Sequence, residues 1–311
     1  MRPWNAEISA DETQTQWNPL LWDGIAQFYP WRVHYSRSLI DGEIPLWNPH
    51  QFSGTPFAAN AQTAVFYPLN LLFVLFSPTR AFGVSAFLHL FLAGVFAFLL
   101  ARSLGIGRFG ATIAGITYEF SAFMIVWLEL PTLINVATWL PLALYLILRS
   151  MDRTGPIHAI FSGLALGLAV LAGHFQIASY VLGAALLWWI WLIVPRARID
   201  GFSAIKRGAF LVLISFGTAF LIAAPQILQT LELAGLSHRV RDVTTAGYAA
   251  YIGNAVPLRN LITLFAPYFY GDPAANTYWN GSAANFIEYG MYIGLLPLIL
   301  AIFGALFTIR W

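Results

Sequence analysis

Long apolar runs separated by short basic connections constrain this chain more than any other feature of its sequence. A helix needs about 20 mostly apolar residues to cross the hydrocarbon core of a bilayer. Seven stretches meet or approach that length: 81–101, 109–128, 132–148, 157–173, 175–194, 208–228 and 288–308. Only 10% of the 311 residues are charged, against about 25% in soluble domains. The sequence therefore predicts an all-α, polytopic transmembrane helix bundle and excludes an ordinary cytosolic enzyme.

The remaining composition narrows the chemistry. The chain has no cysteine, which excludes disulfide bonds, thiol catalysis and zinc–thiolate sites. It has a net charge of only +2 and no dense basic face, so we expect no nucleic-acid partner. It also contains no phosphate-binding glycine loop and no metalloprotease or serine-hydrolase motif in a convincing context.

The basic residues predict the orientation of the bundle. Nine Lys and Arg but only two acids fall in the connections 102–108, 149–156 and 195–207 and the tail 309–311. These segments alternate along the chain, so all four can face the cytoplasm, as the positive-inside rule requires. We therefore expect a multi-pass protein of the cytoplasmic (inner) membrane, with its lipid bilayer as a partner.

Four regions follow from this topology. Residues 1–80 form an extracytoplasmic first loop, 81–228 a bundle of six spans, 229–287 a second long outer loop and 288–311 a further span. The first loop must be exported, yet its start lacks the apolar core of a signal peptide. We expect the chain to be a fragment of a longer protein, with at least one helix preceding it.

The first outer loop is rich in aromatic residues, proline and glycine. Residues 31–40 predict an amphipathic interfacial helix, with Trp31, Val33, Leu39 and Ile40 opposite Arg32, Ser36 and Arg37. The run 64–76 is too short to cross a bilayer and contains Pro68, so it predicts a re-entrant or interface-lying helix. Between them, tightly turned backbone indicates either a shaped site or a lid that merely covers the bundle.

Three strings in this part of the chain carry a family resemblance. They are DGIAQFYPW at 23–31, PLWNPHQFSGTPFAANAQTAVFYPLNLLF at 45–73 and AGHFQIASY at 172–180. Together they resemble the YfhO family of bacterial membrane proteins, with GHFQ in place of the commoner GHPQ. That family resembles the GT-C superfamily of glycosyltransferases, which use lipid-phosphate sugars. The resemblance covers most of 17–180 and implies a GT-C-like fold with further helices before and after this chain.

The resemblance implies a catalytic role for two acids. Asp23 corresponds to the catalytic acid of the first outer loop, and Glu129 to a second acid of the second outer loop. A divalent cation, Mg or Mn, is a possible cofactor, with Asp23 and Glu129 as its protein ligands. The residues by themselves leave simpler roles open, because Asp is a preferred helix cap and Glu129 marks the end of a span. For Asp41 and Glu43, the simpler interpretation is that they are surface residues of a turn.

Other polar and aromatic side chains of the matching strings and loops are candidates for substrate binding. His174 and Gln176 lie at an outer turn, where a hydrogen-bonded cap is the alternative. Arg239 and Arg241 can meet phosphate oxygens of the carrier, or simply contact lipid headgroups. Inside a span, Glu119 is either a structural polar contact or part of a cavity lining. The full set of substrate-binding candidates is Gln27, Trp47, Asn48, Asn60, Gln62, Tyr67, His174, Gln176, Arg239 and Arg241.

These observations lead to one function and two alternatives. The expected enzyme moves a sugar from a polyprenyl-phosphate-linked donor to a hydroxyl of an envelope acceptor, such as a teichoic-type polymer, on the outer face of the membrane. A transporter or flippase of lipid-linked saccharides would favour paired charges near the bilayer midplane. A non-catalytic scaffold for envelope assembly would use the aromatic loop to bind a partner.

Overall fold

The computed structural model describes residues 22–151, 155–237, 244, 248, 255–272, 277–280 and 286–308, and most of these residues are helical. The α-helices among these residues are α1 (Tyr29–Ile40), α2 (Leu72–Leu75), α3 (Pro78–Ser103), α4 (Arg108–Glu119), α5 (Ala122–Val126), α6 (Pro131–Ala137), α7 (Trp139–Ser150), α8 (Gly155–Leu171), α9 (Phe175–Asp200), α10 (Phe202–Leu236) and α11 (Leu295–Thr308). A π-helical turn, Gly24–Phe28, leads into α1.

Five helical segments are long and apolar enough to cross a membrane. They are Pro78–Ser103, Arg108–Val126, Pro131–Ser150, Phe175–Asp200 and Phe202–Leu236. The predicted spans at 157–173 and 288–308 correspond to the shorter apolar helices Gly155–Leu171 and Leu295–Phe307. A mostly helical structure with five such helices is consistent with the expected all-α membrane bundle, whereas the count of seven spans stays a prediction.

Small residues allow the helices of the bundle to approach closely. Gly163 and Gly167 lie one turn apart on α8 and face α10, where a Cβ on Gly167 would lie 3.0 Å from the Cβ of Ile222. Ser162 and Ser215 share a hydrogen bond of 2.6 Å across the same interface. Close packing and interhelical hydrogen bonds are the main forces that associate helices in a bilayer. The contact between α8 and α10 is accordingly the most extensive in the bundle.

The helix connections separate into two ends. Arg207 Nη2 donates to the carbonyl of Met151 at 3.3 Å, which joins two of the basic connections at one end of the bundle. At the opposite end, Gln226 and Thr230 of α10 donate to the carbonyls of Ala58 and Ala59 at 2.9 and 2.7 Å. We call this second end the loop end, because the segment 41–76 packs against it.

The segment 41–76 is folded tightly although it holds little regular structure. Two short strands, β1 (Trp47–Asn48) and β2 (Thr55–Pro56), pair antiparallel. Gly54 lies between them at φ +115°, and a Cβ there would be 2.7 Å from the Trp47 indole. The predicted helix in 64–76 appears as a 3₁₀ turn, Pro68–Leu71, followed by α2.

The buried face of α1 differs from the predicted one. Trp31, Arg32, Tyr35 and Ser36 are buried, whereas Ile40 is 67% exposed. The prediction that Arg32 and Ser36 form the polar, outward face is therefore wrong. Arg32 Nη1 donates to the carbonyl of Thr63, so a backbone acceptor from the loop segment makes this burial possible.

Candidate functional site

The two predicted catalytic acids lie on neighbouring elements at the loop end. Asp23 begins the helical stretch that leads into α1, and its Oδ1 accepts a hydrogen bond from Gln27 Nε2 at 2.8 Å. The next residue, Gly24, lies directly against Glu129, because a Cβ built on Gly24 would be 3.4 Å from Glu129 Cγ and 3.6 Å from Oε1. A Cβ at residue 24 would thus be in ordinary van der Waals contact with Glu129. The fold thus brings Asp23, Gln27 and Glu129 into one region.

Glu129 is an unusual carboxylate for a turn. It follows α5 and precedes Pro131, which begins α6. The adjacent Leu130 packs with Phe28 and Trp31 in a small hydrophobic cluster. Partial burial raises the pKa of the Glu129 carboxyl above its ordinary value. The side chain therefore holds a proton more readily than a freely solvated glutamate does.

His174 lies close to the same stretch of chain. A Cβ on the neighbouring Gly173 would be 3.2 Å from Cγ2 of Thr132 and 2.6 Å from the carbonyl oxygen of Ala61. Thr132 follows Glu129 by three residues, a separation of at most about 10 Å along an extended chain. Asp23, Glu129 and His174 therefore lie at the same end of the bundle. Gly24, next to Asp23, lies against Glu129, and Gly173, next to His174, lies against Thr132.

The structure gives His174 a definite capping role. Its Nδ1 accepts a hydrogen bond from the backbone N–H of Ile177 at 3.3 Å, so the side chain caps the N-terminus of α9. Since Nδ1 accepts, the ring proton of the neutral imidazole is on Nε2. Burial lowers the pKa of this histidine and favours that neutral form. Gln176 is exposed and donates to the Tyr180 hydroxyl at 3.0 Å.

Tyr67 is part of a buried polar chain inside the bundle. Trp139 Nε1 donates to the Tyr67 hydroxyl at 3.0 Å, and that hydroxyl contacts His89 Nε2 at 2.8 Å. His89 Nδ1 lies 2.7 Å from the carbonyl of Ser85, which can only accept. The proton of His89 is therefore on Nδ1, and Tyr67 donates to Nε2. Tyr67 has no exposed surface, so these contacts favour a role in joining the loop segment to α3 and α7.

Four of the remaining candidates lie in the loop segment itself. Asn48 is 3% exposed, and its side chain bonds Gln51 Oε1 at 3.1 Å and the backbone N–H of His50 at 3.0 Å. Asn60 Oδ1 accepts from the backbone N–H of Gln62 at 3.2 Å, which caps a 3₁₀ turn. Trp47 is 54% exposed, next to Gly54. Arg239 and Arg241 lie outside the described residues.

Comparison with protein-family models, with curated proteins and with solved structures finds no match to this chain. The inferences about function therefore depend on the residues and their geometry.

A metal ion would find two carboxylates at this site. Among the described residues, no group of three or more His, Cys, Asp or Glu side chains is placed to hold a metal. Mg²⁺ is commonly bound by one or two carboxylates together with substrate phosphates and water. Asp23 and Glu129 supply that number of carboxylates, so this pair is compatible with a cation that arrives with a phosphorylated substrate.

Two features of the loop end cannot be predicted from the individual residues. Gly24 lies against the Glu129 side chain, and Arg32 is 1% exposed with its Nε and Nη2 lacking a partner within the described part of the chain. The Arg32 guanidinium lies 5.3 Å from the Phe73 ring centroid, and burial lowers its pKa to about 10. Both follow from contacts between distant segments, although the helical spacing of residues 28, 31, 32 and 35 does mark the buried face.

The cap at His174 makes the stability of the bundle dependent on pH. The folded imidazole has a lowered pKa, so the unfolded chain, with a value near 6.5, binds the proton more tightly. Stability is therefore fully present above about pH 6.5 and falls as the pH drops from there through the folded pKa. We expect the thermal unfolding midpoint to be lower at about pH 5.5 than at about pH 7.5.

Two variants test the origin of this pH dependence. His174→Asn keeps a good N-cap that does not titrate, so it should retain stability and lose most of the difference between the two pH values. His50→Asn, at an exposed histidine of the loop segment, should leave the difference unchanged. An equal pH dependence in His174→Asn and wild type would contradict the cap assignment.

Proposed function

We propose that this protein is a GT-C-like membrane glycosyltransferase, which moves a sugar from a polyprenyl-phosphate donor to a hydroxyl of an envelope acceptor. The single observation that supports the proposal is the approach of Gly24, the residue after Asp23, to the side chain of Glu129 at the loop end. The resemblance of 23–31, 45–73 and 172–180 to the YfhO family supports the same activity. The site would face outward, opposite the basic connections.

The reaction assigns a separate task to each group. The acceptor oxygen attacks the anomeric carbon, and its proton passes to the Asp23 carboxylate as general base. The bond between that carbon and the phosphate oxygen breaks, and the electron pair leaves with polyprenyl phosphate. Gln27, which donates to Asp23 at 2.8 Å, orients the base. Asp23 and Glu129 would hold a divalent ion, which when bound would neutralise phosphate charge.

The position of the pair suits a lipid donor. Asp23 precedes the π-helical turn that leads into α1, in a stretch that carries exposed Trp22 and Tyr29, and aromatic rings favour the membrane–water interface. A lipid phosphate also resides at that interface, so the reacting bond can reach the carboxylates while the chain stays in the bilayer. Arg239 or Arg241 would then meet the carrier phosphate, a role that the resemblance suggests.

Glu129→Gln tests the proposal directly. Glutamine retains the size of the side chain but neither charge nor basicity, so we expect transfer to fall on the order of tenfold. Because the Glu129 pKa is raised, lowering the pH should reduce wild-type activity at a higher pH than it would if this carboxylate were ordinary. The Glu129→Gln variant should lose this acid-side decline in activity. The assay uses the full chain in membranes with radiolabelled polyprenyl-phosphate glucose, galactose and N-acetylglucosamine, and measures label in the envelope fraction.

Glu43→Gln is the matched control, because Glu43 is an exposed acid of the loop segment outside the Asp23–Glu129 region. It should transfer sugar at the wild-type rate. If wild-type membranes incorporate each of the three labels no faster than membranes without the protein, the proposed enzyme activity is refuted. Movement of the labelled lipid across the bilayer without incorporation would favour the transporter.

A further inference from the structure

A cavity lies a few residues along the chain from Glu129 and is built from residues that the sequence patterns do not single out. It measures about 370 Å³, within the range of about 300–1,000 Å³ typical of small-molecule sites. Residues within 260–272 and 286–292, together with Tyr278, form one wall, and Phe120 and α5 form the other. The backbone N–H of Ala122 donates to the carbonyl of Tyr292 at 2.8 Å, which joins the two walls.

Aromatic rings dominate the lining. Five of the chain's thirteen tyrosines fall in 268–292, and all five line this cavity: Tyr268, Tyr270, Tyr278, Tyr289 and Tyr292. Tyr270 packs edge-on against Trp279, with ring centroids 4.8 Å apart. Aromatic faces bind apolar surfaces strongly, while the tyrosine hydroxyl offers a polar tip. This lining therefore favours a ligand with both apolar faces and polar edges.

The floor of the cavity is polar and held in place. Asn260 and Thr263 are 1% and 5% exposed. Asn280 Nδ2 donates to Asn260 Oδ1 at 3.1 Å, and the Thr263 hydroxyl donates to the Tyr289 carbonyl at 3.1 Å. The Tyr270 hydroxyl donates to the Arg259 carbonyl at 2.9 Å. These bonds fix the positions of hydroxyl and amide groups before any ligand arrives, which lowers the cost of binding.

The charge of the lining excludes an anionic ligand. Asp272 is the charged residue that lines the cavity, and no Lys, Arg or His is among the lining residues that the structure describes. A phosphate or nucleotide would therefore meet a carboxylate without a compensating cation. A neutral polyhydroxylated ring fits better, because a pyranose has apolar C–H faces for the tyrosines and hydroxyls for the polar floor.

The cavity is also close to the proposed catalytic groups. Ile125 and Val126 of α5 line it, and Glu129 follows Val126 by three residues. That separation is at most about 10 Å along the chain. A sugar bound in the cavity can thus extend a hydroxyl towards the Asp23–Glu129 region.

From these observations we propose that the tyrosine-lined cavity between α5 and residues 260–272, 278 and 286–292 binds a neutral hexopyranosyl unit of the acceptor glycan. The assignment of the bound sugar to the acceptor rests on the proposed function. The binding of a pyranoside to the cavity can be measured without any sugar transfer. The donor phosphate would bind elsewhere, because the cavity offers it no cation.

The experiment measures binding by saturation-transfer NMR on the full chain in nanodiscs. The probes are the methyl β-pyranosides of glucose, galactose and N-acetylglucosamine, and choline chloride is the comparison ligand for an aromatic cage. We expect at least one glycoside to bind. Tyr268→Ala, at a rim residue that is 68% exposed, should weaken that glycoside about tenfold, the loss of one aromatic contact.

Control variants separate the cavity from general effects of aromatic removal and from the enzyme proposal. Phe109→Ala, at an 82% exposed residue near the other end of α4, should leave binding unchanged. Absence of binding for all three glycosides, binding of choline instead, or glycoside binding unaffected by Tyr268→Ala would overturn the assignment. If glycosides bind as expected while Glu129→Gln leaves transfer intact, the catalytic proposal fails and the cavity assignment stands.

Discussion

Asp23→Asn is expected to lower sugar transfer by about 10²–10⁴-fold, the usual contribution of a general base. Asparagine retains the shape of the side chain and an Oδ1 that can still accept from Gln27 Nε2, now 2.8 Å from the carboxylate. The fold at the start of α1 should therefore persist while the basic oxygen is lost. Incorporation of radiolabelled sugar from the polyprenyl-phosphate donors measures the effect, and the thermal unfolding midpoint confirms that the variant is folded.

Asp41→Asn provides the comparison for Asp23→Asn. Asp41 is an exposed acid at the end of α1, so the substitution removes one negative charge from the same helix without touching the carboxylate pair. We expect wild-type transfer from it. An Asp23→Asn variant that transfers sugar as fast as Asp41→Asn would dismiss Asp23 as the base, whatever the fate of Glu129.

The spanning helices follow from local pattern, because an apolar run of about 20 residues has few other folds open to it in a bilayer. The residues at which these helices begin and end depend on individual side chains and glycines, which an average of hydropathy over a window does not resolve. The predicted span 208–228 lies inside the longer α10, which continues to Leu236 with further leucines. The predicted span 288–308 begins as a helix only at Leu295, after Gly294 at φ +99°.

The face of a short helix is harder to predict than its existence. Arg32 and Ser36 look polar and outward in the sequence, yet the segment around Thr63 covers that face and supplies an acceptor for Arg32. No property of residues 29–40 alone encodes the position of Thr63. The same applies to Tyr67, whose partners Trp139 and His89 are 72 and 22 residues away in sequence.

The sequence predicted which residue types and which segments carry the candidate site. It did not predict which of these residues lie close together. The resemblance points to Asp23 and Glu129 through motif and loop position, and both lie at the loop end. They approach each other through Gly24, a residue with no chemistry of its own, which lies against the Glu129 side chain. The tyrosine-lined cavity was missed, although the density of tyrosine in 268–292 was a signal available in the sequence.

Gly163→Leu is expected to destabilise the bundle by several kcal/mol, near the upper end of overpacking effects in protein cores. A Cβ at 163 would collide with the carbonyl oxygen of Ser215 and lie 2.6 Å from the Cβ of Thr218. Neither the α10 backbone nor a Cβ can rotate away, so the two helices must separate. Separation would also break the 2.6 Å Ser162–Ser215 hydrogen bond, which has no water to replace it in a bilayer.

Gly217→Leu isolates this packing effect, because it makes the same change on α10 where no atom lies within 4 Å of the added Cβ. Both substitutions replace a helical glycine by a better helix former, so any difference between them reports the α8–α10 contact. We expect Gly217→Leu to unfold at or above the wild-type midpoint in detergent and Gly163→Leu to unfold well below it. Similar midpoints for the two variants would mean that α8 and α10 do not meet through Gly163, and that the small-residue packing in this part of the bundle is of another kind.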